Sequence, residues 1–172
     1  MKSLLRIFLL LFFVSCAEEG DMDSPFLGVS YEVRFDQVRF QVNQKLYQQL
    51  NFERGSNNFC ANLGEIRAVK RTGNELQLVV RRNSSCNGDY LLVWDGGVQE
   101  SMPERVQLYL FPQFTNCGST SGNTVNDTLK IDLKRAFMPL QESVVNRMSI
   151  YIRENCNFFD FNCEGDCDLE KD

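Results

Sequence analysis

Apolar residues recur at every second position along most of this chain, and a period of two commits a chain to half-buried strands. Val29, Tyr31, Val33 and Phe35 share one parity, and Ser30, Glu32, Arg34 and Asp36 take the other. At Asp36-Gln37 the phase flips and Val38, Phe40 and Val42 take over. Such a change predicts a bulge or a tight bend, because a one-residue slip sends every side chain to the opposite face.

The same reading continues downstream. Leu46, Tyr47 and Leu50 stand at helical spacing and predict one short helix over residues 44–51. Residues 66–71 and 76–82 flank Thr72-Gly73-Asn74, where Gly73 and Asn74 tolerate positive φ, so a hairpin is expected. Tyr90 to Trp94 is a compact apolar run ended by Asp95-Gly96-Gly97. Val106, Leu108 and Leu110 alternate up to Pro112; Leu129, Ile131 and Leu133 alternate with charges; so do Met148, Ile150 and Ile152 with polar residues. Thr115 to Asp127 is rich in Ser, Thr, Asn and Gly and reads as a long exposed loop. About eight short strands with turn signals between them predict an all-β fold, an antiparallel β-sandwich around one core, with a β-barrel as the alternative.

Cysteine usage adds a second constraint. Of the seven cysteines, six follow Cys16: Cys60, Cys86, Cys117, Cys156, Cys163 and Cys167. An even set without CxxC spacing reads as structural disulfides in an exported chain, and six cysteines allow 15 pairings. Cys60 and Cys86 sit in polar loops flanking one predicted hairpin, which favours their pairing. Cys117 and Cys156 each follow a predicted core strand, which favours theirs.

Charge and composition remove whole classes of function. The chain contains no histidine, which excludes Ser-His-Asp and Cys-His catalysis, His-ligated zinc and a histidine pH switch. Eighteen basic residues against 23 acidic ones give a net charge of −5. Nucleic acid and anionic lipid surfaces call for a basic patch and are not expected partners.

The N-terminus carries an address. Lys2 and Arg6 precede the apolar run Ile7 to Val14, which is shorter than the ~20 residues of a spanning helix and has the length of a signal-peptide core. The run ends in Val14-Ser15-Cys16. This resembles the lipobox of bacterial lipoproteins, in which a small residue precedes an acylated cysteine; Phe13 departs from the commoner Leu. The resemblance implies cleavage before Cys16 and lipidation of that cysteine. Loss of residues 1–15 removes Lys2 and Arg6 and no acidic residue, so the formal charge moves from −5 to −7. Residues 16–25 read as an acidic tether. Glu18-Glu19 resembles the signal that sends some Gram-negative lipoproteins to the cell surface. Residues 26–172 are expected to form a single sandwich domain with a cysteine-rich acidic tail, anchored at the outer membrane on its surface or periplasmic face.

Five features are candidates for chemistry or contact. Asp160, Asn162, Glu164, Asp166 and Asp168 alternate around Gly165 in a pattern like an EF-hand calcium loop, although position 12 is Lys171 where a bidentate Glu belongs. Calcium is thus the one cofactor to test; otherwise none is expected. Trp94, the only tryptophan, stands beside a glycine turn, where it would either stack on a sugar ring or pack in the core. Arg67, Lys70, Arg71, Arg81 and Arg82 form a basic cluster around the first hairpin, suited to an anionic glycan, to the phosphates of lipid head groups, or to protecting a sheet edge. Asp95, Glu100 and Glu104 supply carboxylates of the kind glycosidases use in pairs. The Phe158, Phe159 and Phe161 group either covers one end of the sandwich or forms a contact patch. Together these features favour a membrane-anchored, non-catalytic binding or interaction lipoprotein of the envelope, with glycan or envelope protein as partner. An accessory subunit of an envelope assembly and a His-free two-carboxylate glycosidase are the alternatives. A long unpaired edge strand would favour the accessory subunit; an exposed aromatic platform at Trp94 would favour glycan.

Overall fold

The computed structural model of the protein describes residues 29–54, 64–115, 117, 123–154 and 158–171. Two sheets pack face to face and do not close into a barrel. In chain order the elements are β1 (Glu32–Phe35), β2 (Val38–Val42), α1 (Gln44–Phe52), β3 (Gly64–Thr72), β4 (Glu75–Asn83), β5 (Asn87–Trp94), β6 (Arg105–Thr115), β7 (Thr124–Asp132), α2 (Leu133–Ala136), α3 (Glu142–Arg147), β8 (Ser149–Glu154), β9 (Phe161–Glu164) and β10 (Cys167–Glu170). The larger sheet runs β1-β2-β5-β6-β8-β9 and the smaller β10-β3-β4-β7.

The phase flip at Asp36-Gln37 is a tight two-residue turn that pairs Phe35 with Val38 and makes β1 and β2 a hairpin. Val33, Phe35, Val38, Phe40 and Val42 all reach the core from that hairpin. The second hairpin turns at Gly73-Asn74, with Gly73 at φ 56°. From the smaller sheet Ile66, Val69, Leu76, Leu78, Val80, Leu129 and Ile131 face inward. Helix α1 starts at Asn43, whose side chain accepts the Leu46 N–H at 3.0 Å. It lies on the outer face of the larger sheet, setting Tyr47 and Leu50 against Leu91, Val93 and Tyr109. Strand β5 is therefore covered on both faces. This explains why Tyr90 to Trp94 reads as a continuous apolar run where alternation would otherwise show.

Three expectations need correction. The larger sheet is mixed: β2 pairs with β5 and β6 with β8 in parallel. The intervening α1-β3-β4 and β7-α2-α3 segments provide the crossovers that parallel neighbours require. The described residues hold ten strands, because the acidic tail forms β9 and β10. Residues 124–127, expected in a loop, begin β7. Their side chains are largely solvated, which hides a strand from a reading based on apolar periodicity.

Strand β6 also continues through Pro112. Tyr90, opposite Pro112, donates its N–H to Gln37 of the β1–β2 turn, so Pro112 sits at a pair that needs no bond to β5. Its missing N–H faces past the last β6 residue paired with β8, Leu110. This extension brings Cys117 to Cys86, and the two form a disulfide across the open end of the β5–β6 hairpin. Cys163 and Cys167 form the second disulfide. The expected Cys60–Cys86 and Cys117–Cys156 pairings are thereby corrected; Cys60 and Cys156 themselves lie outside the described residues.

Candidate functional site

The four strands at the lateral edges of the two sheets are very unequal. Strands β1, β9 and β10 have four residues each. Strand β7 has nine and, among the described residues, pairs only with β4. Its ladder fixes which backbone groups are satisfied. At one end Ser84 N–H donates to Asn123 O at 2.8 Å, and at the other Leu133 N–H donates to Asn74 O at 2.8 Å. The nine pairs between them run without a bulge. Val125, Asp127, Leu129 and Ile131 thus direct their N–H and C=O groups to β4. Thr124, Asn126, Thr128, Lys130 and Asp132 direct theirs away from the sheet. Among the described residues no other strand bonds to that outer row; at its end the Asp132 C=O accepts the first bond of α2, of which Asp132 is the N-cap. The same five residues place their side chains on the solvated face.

Inward charge anchors this edge. Asp127 accepts from Arg82 Nε at 2.5 Å and Nη2 at 3.2 Å, and from Tyr90 Oη at 2.7 Å. The hydrogen bond to Asp127 raises the Arg82 pKa above its ordinary value, ahead of the opposing effect of burial. Burial, and after it the Asp127 hydrogen bond, keep the Tyr90 phenol protonated. At the other end of β7, a cleft of about 540 Å³ is lined by Phe35, Asp36, Asn74, Glu75, Asp132 and Arg135. The Arg135 guanidinium lies 5.1 Å over the Phe35 ring. An apolar floor under a rim of both signs suits one polar side chain of a docked segment better than a large apolar ligand.

The residues singled out in the sequence are placed elsewhere. Trp94 is wholly buried, with its ring 4.9 Å from Phe137 and its Nε1 donating to Gly97 O at 2.9 Å. It offers no face to a sugar, because the glycine turn beside it folds back as its hydrogen-bond acceptor. The basic cluster is dispersed. Arg71 is buried and donates to Val145 O, Met148 O, Gly73 O and Asn146 O, tying the hairpin to the end of α3. Arg82 is turned inward to Asp127. Arg81 pairs with Glu65, and Lys70 with Asp168 at 2.8 Å. Alternation put Arg81 and Arg82 on opposite faces, which charge counting along the chain does not register.

The five calcium candidates are spread over β9, β10 and their flanks. Asp160 pairs with Arg54, Asp166 Oδ1 accepts Gly73 N–H at 2.7 Å, and Asp168 is held by Lys70. Among the described residues no group of three acidic or cysteine side chains converges as a metal site. The hydrolase candidates also have separate partners. Arg147 binds Glu104 and depresses its pKa to about 2, while burial raises that of Asp95, whose Oδ1 accepts Gly97 N–H. Glu100 is exposed. Phe161 is in the core, whereas Phe158 and Phe159 stay exposed. Cys16 lies outside the described residues, and among those described no helix is long and apolar enough to cross a membrane.

The edge of β7 was missed because its signal is backbone geometry. Only Leu129, Ile131 and Leu133 were legible as a strand. Comparison with known protein families, characterised proteins and solved structures finds no match to this chain.

Proposed function

We propose that this chain is a membrane-anchored, non-catalytic interaction lipoprotein of the bacterial envelope, acting as an accessory subunit that docks a partner strand on β7. The observation that carries the reading is the nine-residue edge with five outward-facing backbone positions. An unpaired edge is a template for another strand: main-chain bonds supply affinity and alternate side chains supply selectivity. The burial of Trp94 supports this reading over glycan stacking. Cys16, behind a signal-like run, supports anchoring, and several acyl chains would make it durable.

Two measurements test it. Cys16→Ala is expected to move the protein from the membrane to the soluble fraction; retention in the membrane overturns the anchor. A photo-crosslinking residue at Asn126 is expected to give a protein adduct in intact envelopes, while one at Gln77, in the middle of the smaller sheet, gives none. Thr128→Pro is expected to abolish the Asn126 adduct. Proline there removes an outward N–H and leaves the β4 ladder intact, so stability should fall by less than about 1 kcal/mol. Adducts unchanged by Thr128→Pro overturn docking on β7.

A further inference from the structure

We infer that the end of the sandwich closed by α2 and α3 is a bilayer-contact surface, which sets Val29, Met102 and Met138 on the membrane that holds Cys16. The inference rests on the anchoring reading above and adds the orientation in which the body is held. Large apolar side chains are left in water around this end. Met102 is 102% exposed, Met138 57% and Val29 43%. All three flank one helical plug, in which Leu133, Ala136, Phe137 and Val145 close the core. Val29 stands two residues before Tyr31, whose Oη donates to Ala136 O at 2.5 Å, and Met138 follows Ala136 by two residues. At the far end of α3, Arg147 pairs with Glu104, and Met102 lines one hollow with both. Ser149 N–H donates to Glu104 O at 2.7 Å, which fixes the Met102 loop beside α3.

Other parts of the surface differ. At the opposite end of the sheets the strand ends pair Asn83 with Thr124 and Asn87 with Thr115, all polar. The exposed Phe158 and Phe159 rings lie on the C-terminal side under cations of their own, Arg54 and Lys171. Charge sets the plugged end apart as well. Residues 29–31, 101–104 and 133–148 carry Lys134, Arg135 and Arg147 against Glu104 and Glu142, on a chain of net −5. Both carboxylates are already paired, Glu142 with Lys134 and Glu104 with Arg147. Approach to a headgroup layer therefore strips water from no unpaired carboxylate of these segments.

The position of the anchor names the bilayer as occupant. Twelve residues separate Cys16 from Val29, and they span at most about 43 Å. Acyl chains on Cys16 would thus tie the membrane to the end that carries Val29. The contact needs little free energy of its own, because the tether supplies a high effective concentration. Methionine suits such a contact: it is unbranched and flexible, and it adapts to an irregular apolar surface. Strand β7 runs into α2, so in this orientation Asp132 lies nearest the bilayer and Thr124 farthest. The docking edge then stands away from the membrane.

The test uses the full acylated chain in vesicles of zwitterionic phosphatidylcholine that contain a nitroxide-headgroup lipid. A fluorescent amino acid is placed at Ser143, exposed on α3, or at Ser84, exposed at the opposite end. Nitroxide quenching is expected to be strong at Ser143 and weak at Ser84. Met102→Glu combined with Met138→Glu should lower the docked population about tenfold and bring quenching at Ser143 down to the Ser84 level. Melting and vesicle flotation should not change in that variant, because neither methionine is buried. Equal quenching at the two positions, or quenching at Ser143 insensitive to the double variant, overturns the surface while flotation keeps the anchor standing. Quenching at Ser143 in native envelopes and not in vesicles gives the surface to a protein and likewise overturns the bilayer. A chain that carries no acyl group on Cys16 and does not float overturns the anchor, and the surface with it.

Discussion

The two lateral sides of the sandwich solve the edge problem in opposite ways. On the C-terminal side the chain passes from β9 in the larger sheet to β10 in the smaller, and Cys163–Cys167 bridges that corner. A charged network seals it. Glu154 is completely buried, accepts Ile66 N–H at 2.5 Å and pairs with Lys171 at 3.3 Å. Lys171 also reaches Glu65 at 2.7 Å, and Glu65 in turn pairs with Arg81 and Arg67. On the other side β1 and β7 end the two sheets, and among the described residues no strand connects them. Strand β1 is short, whereas β7 is long, regular and exposed along its outer row. One side spends charge and covalent chemistry on closure; the other keeps one inward carboxylate, Asp127, and leaves its backbone available. A long open edge beside a heavily closed one is the feature on which the proposed docking at β7 rests.

That contrast can be broken most forcefully at Glu154. Glu154→Ala removes a buried carboxylate and leaves Ile66 N–H unsatisfied. Losing one partner of a buried pair costs about 3–5 kcal/mol, and the lower end applies because Lys171 keeps Glu65. Urea unfolding is expected to show the loss, and a change under about 1 kcal/mol would mean that the network does not seal this side.

A smaller effect should follow from opening the corner. Replacing Cys163 and Cys167 together by Ala releases a short loop, for which chain entropy gives about 2 kcal/mol. Melting should register it while the β7 crosslinks persist; loss of those crosslinks would show that the two sides are coupled.

The smallest expected effect is a pH dependence. Burial alone would raise the Glu65 pKa, but Lys171, Arg81 and Arg67 together hold it below the model-peptide value of 4.5. A depressed carboxyl stabilises the fold above its unfolded pKa and ceases to do so as pH falls through its folded one. Stability should therefore decline below about pH 4.5, and Glu65→Gln should flatten the decline. An unchanged profile would remove Glu65 from the sealing network.

Legibility in the sequence followed burial. Positions whose alternation meets a core were readable, which is why β1, β2, β3, β4, the centre of β6 and β8 emerged from periodicity, and why the nine-residue α1 emerged from helical spacing. Strands with solvated or oxygen-rich side chains were not: the first half of β7 and the whole of β9 and β10 look like loop and tail. The basic cluster was legible as composition and misleading as geometry, since Arg71 and Arg82 face inward while Arg67, Lys70 and Arg81 meet carboxylates from β3 and β10.

Local alternation by itself determined that this chain builds sheets around one core, because each side chain's face follows from its parity. The even cysteine set determined that disulfides hold it, and the missing histidines determined which chemistries it lacks. Tertiary structure alone decided which strands are neighbours, which cysteines meet, and which of the edges remains open. Those depend on contacts between residues far apart in the chain. Cys86 reaches Cys117 only because β6 runs past Pro112, and β7 is an edge because, among the described residues, no other strand adds beyond it.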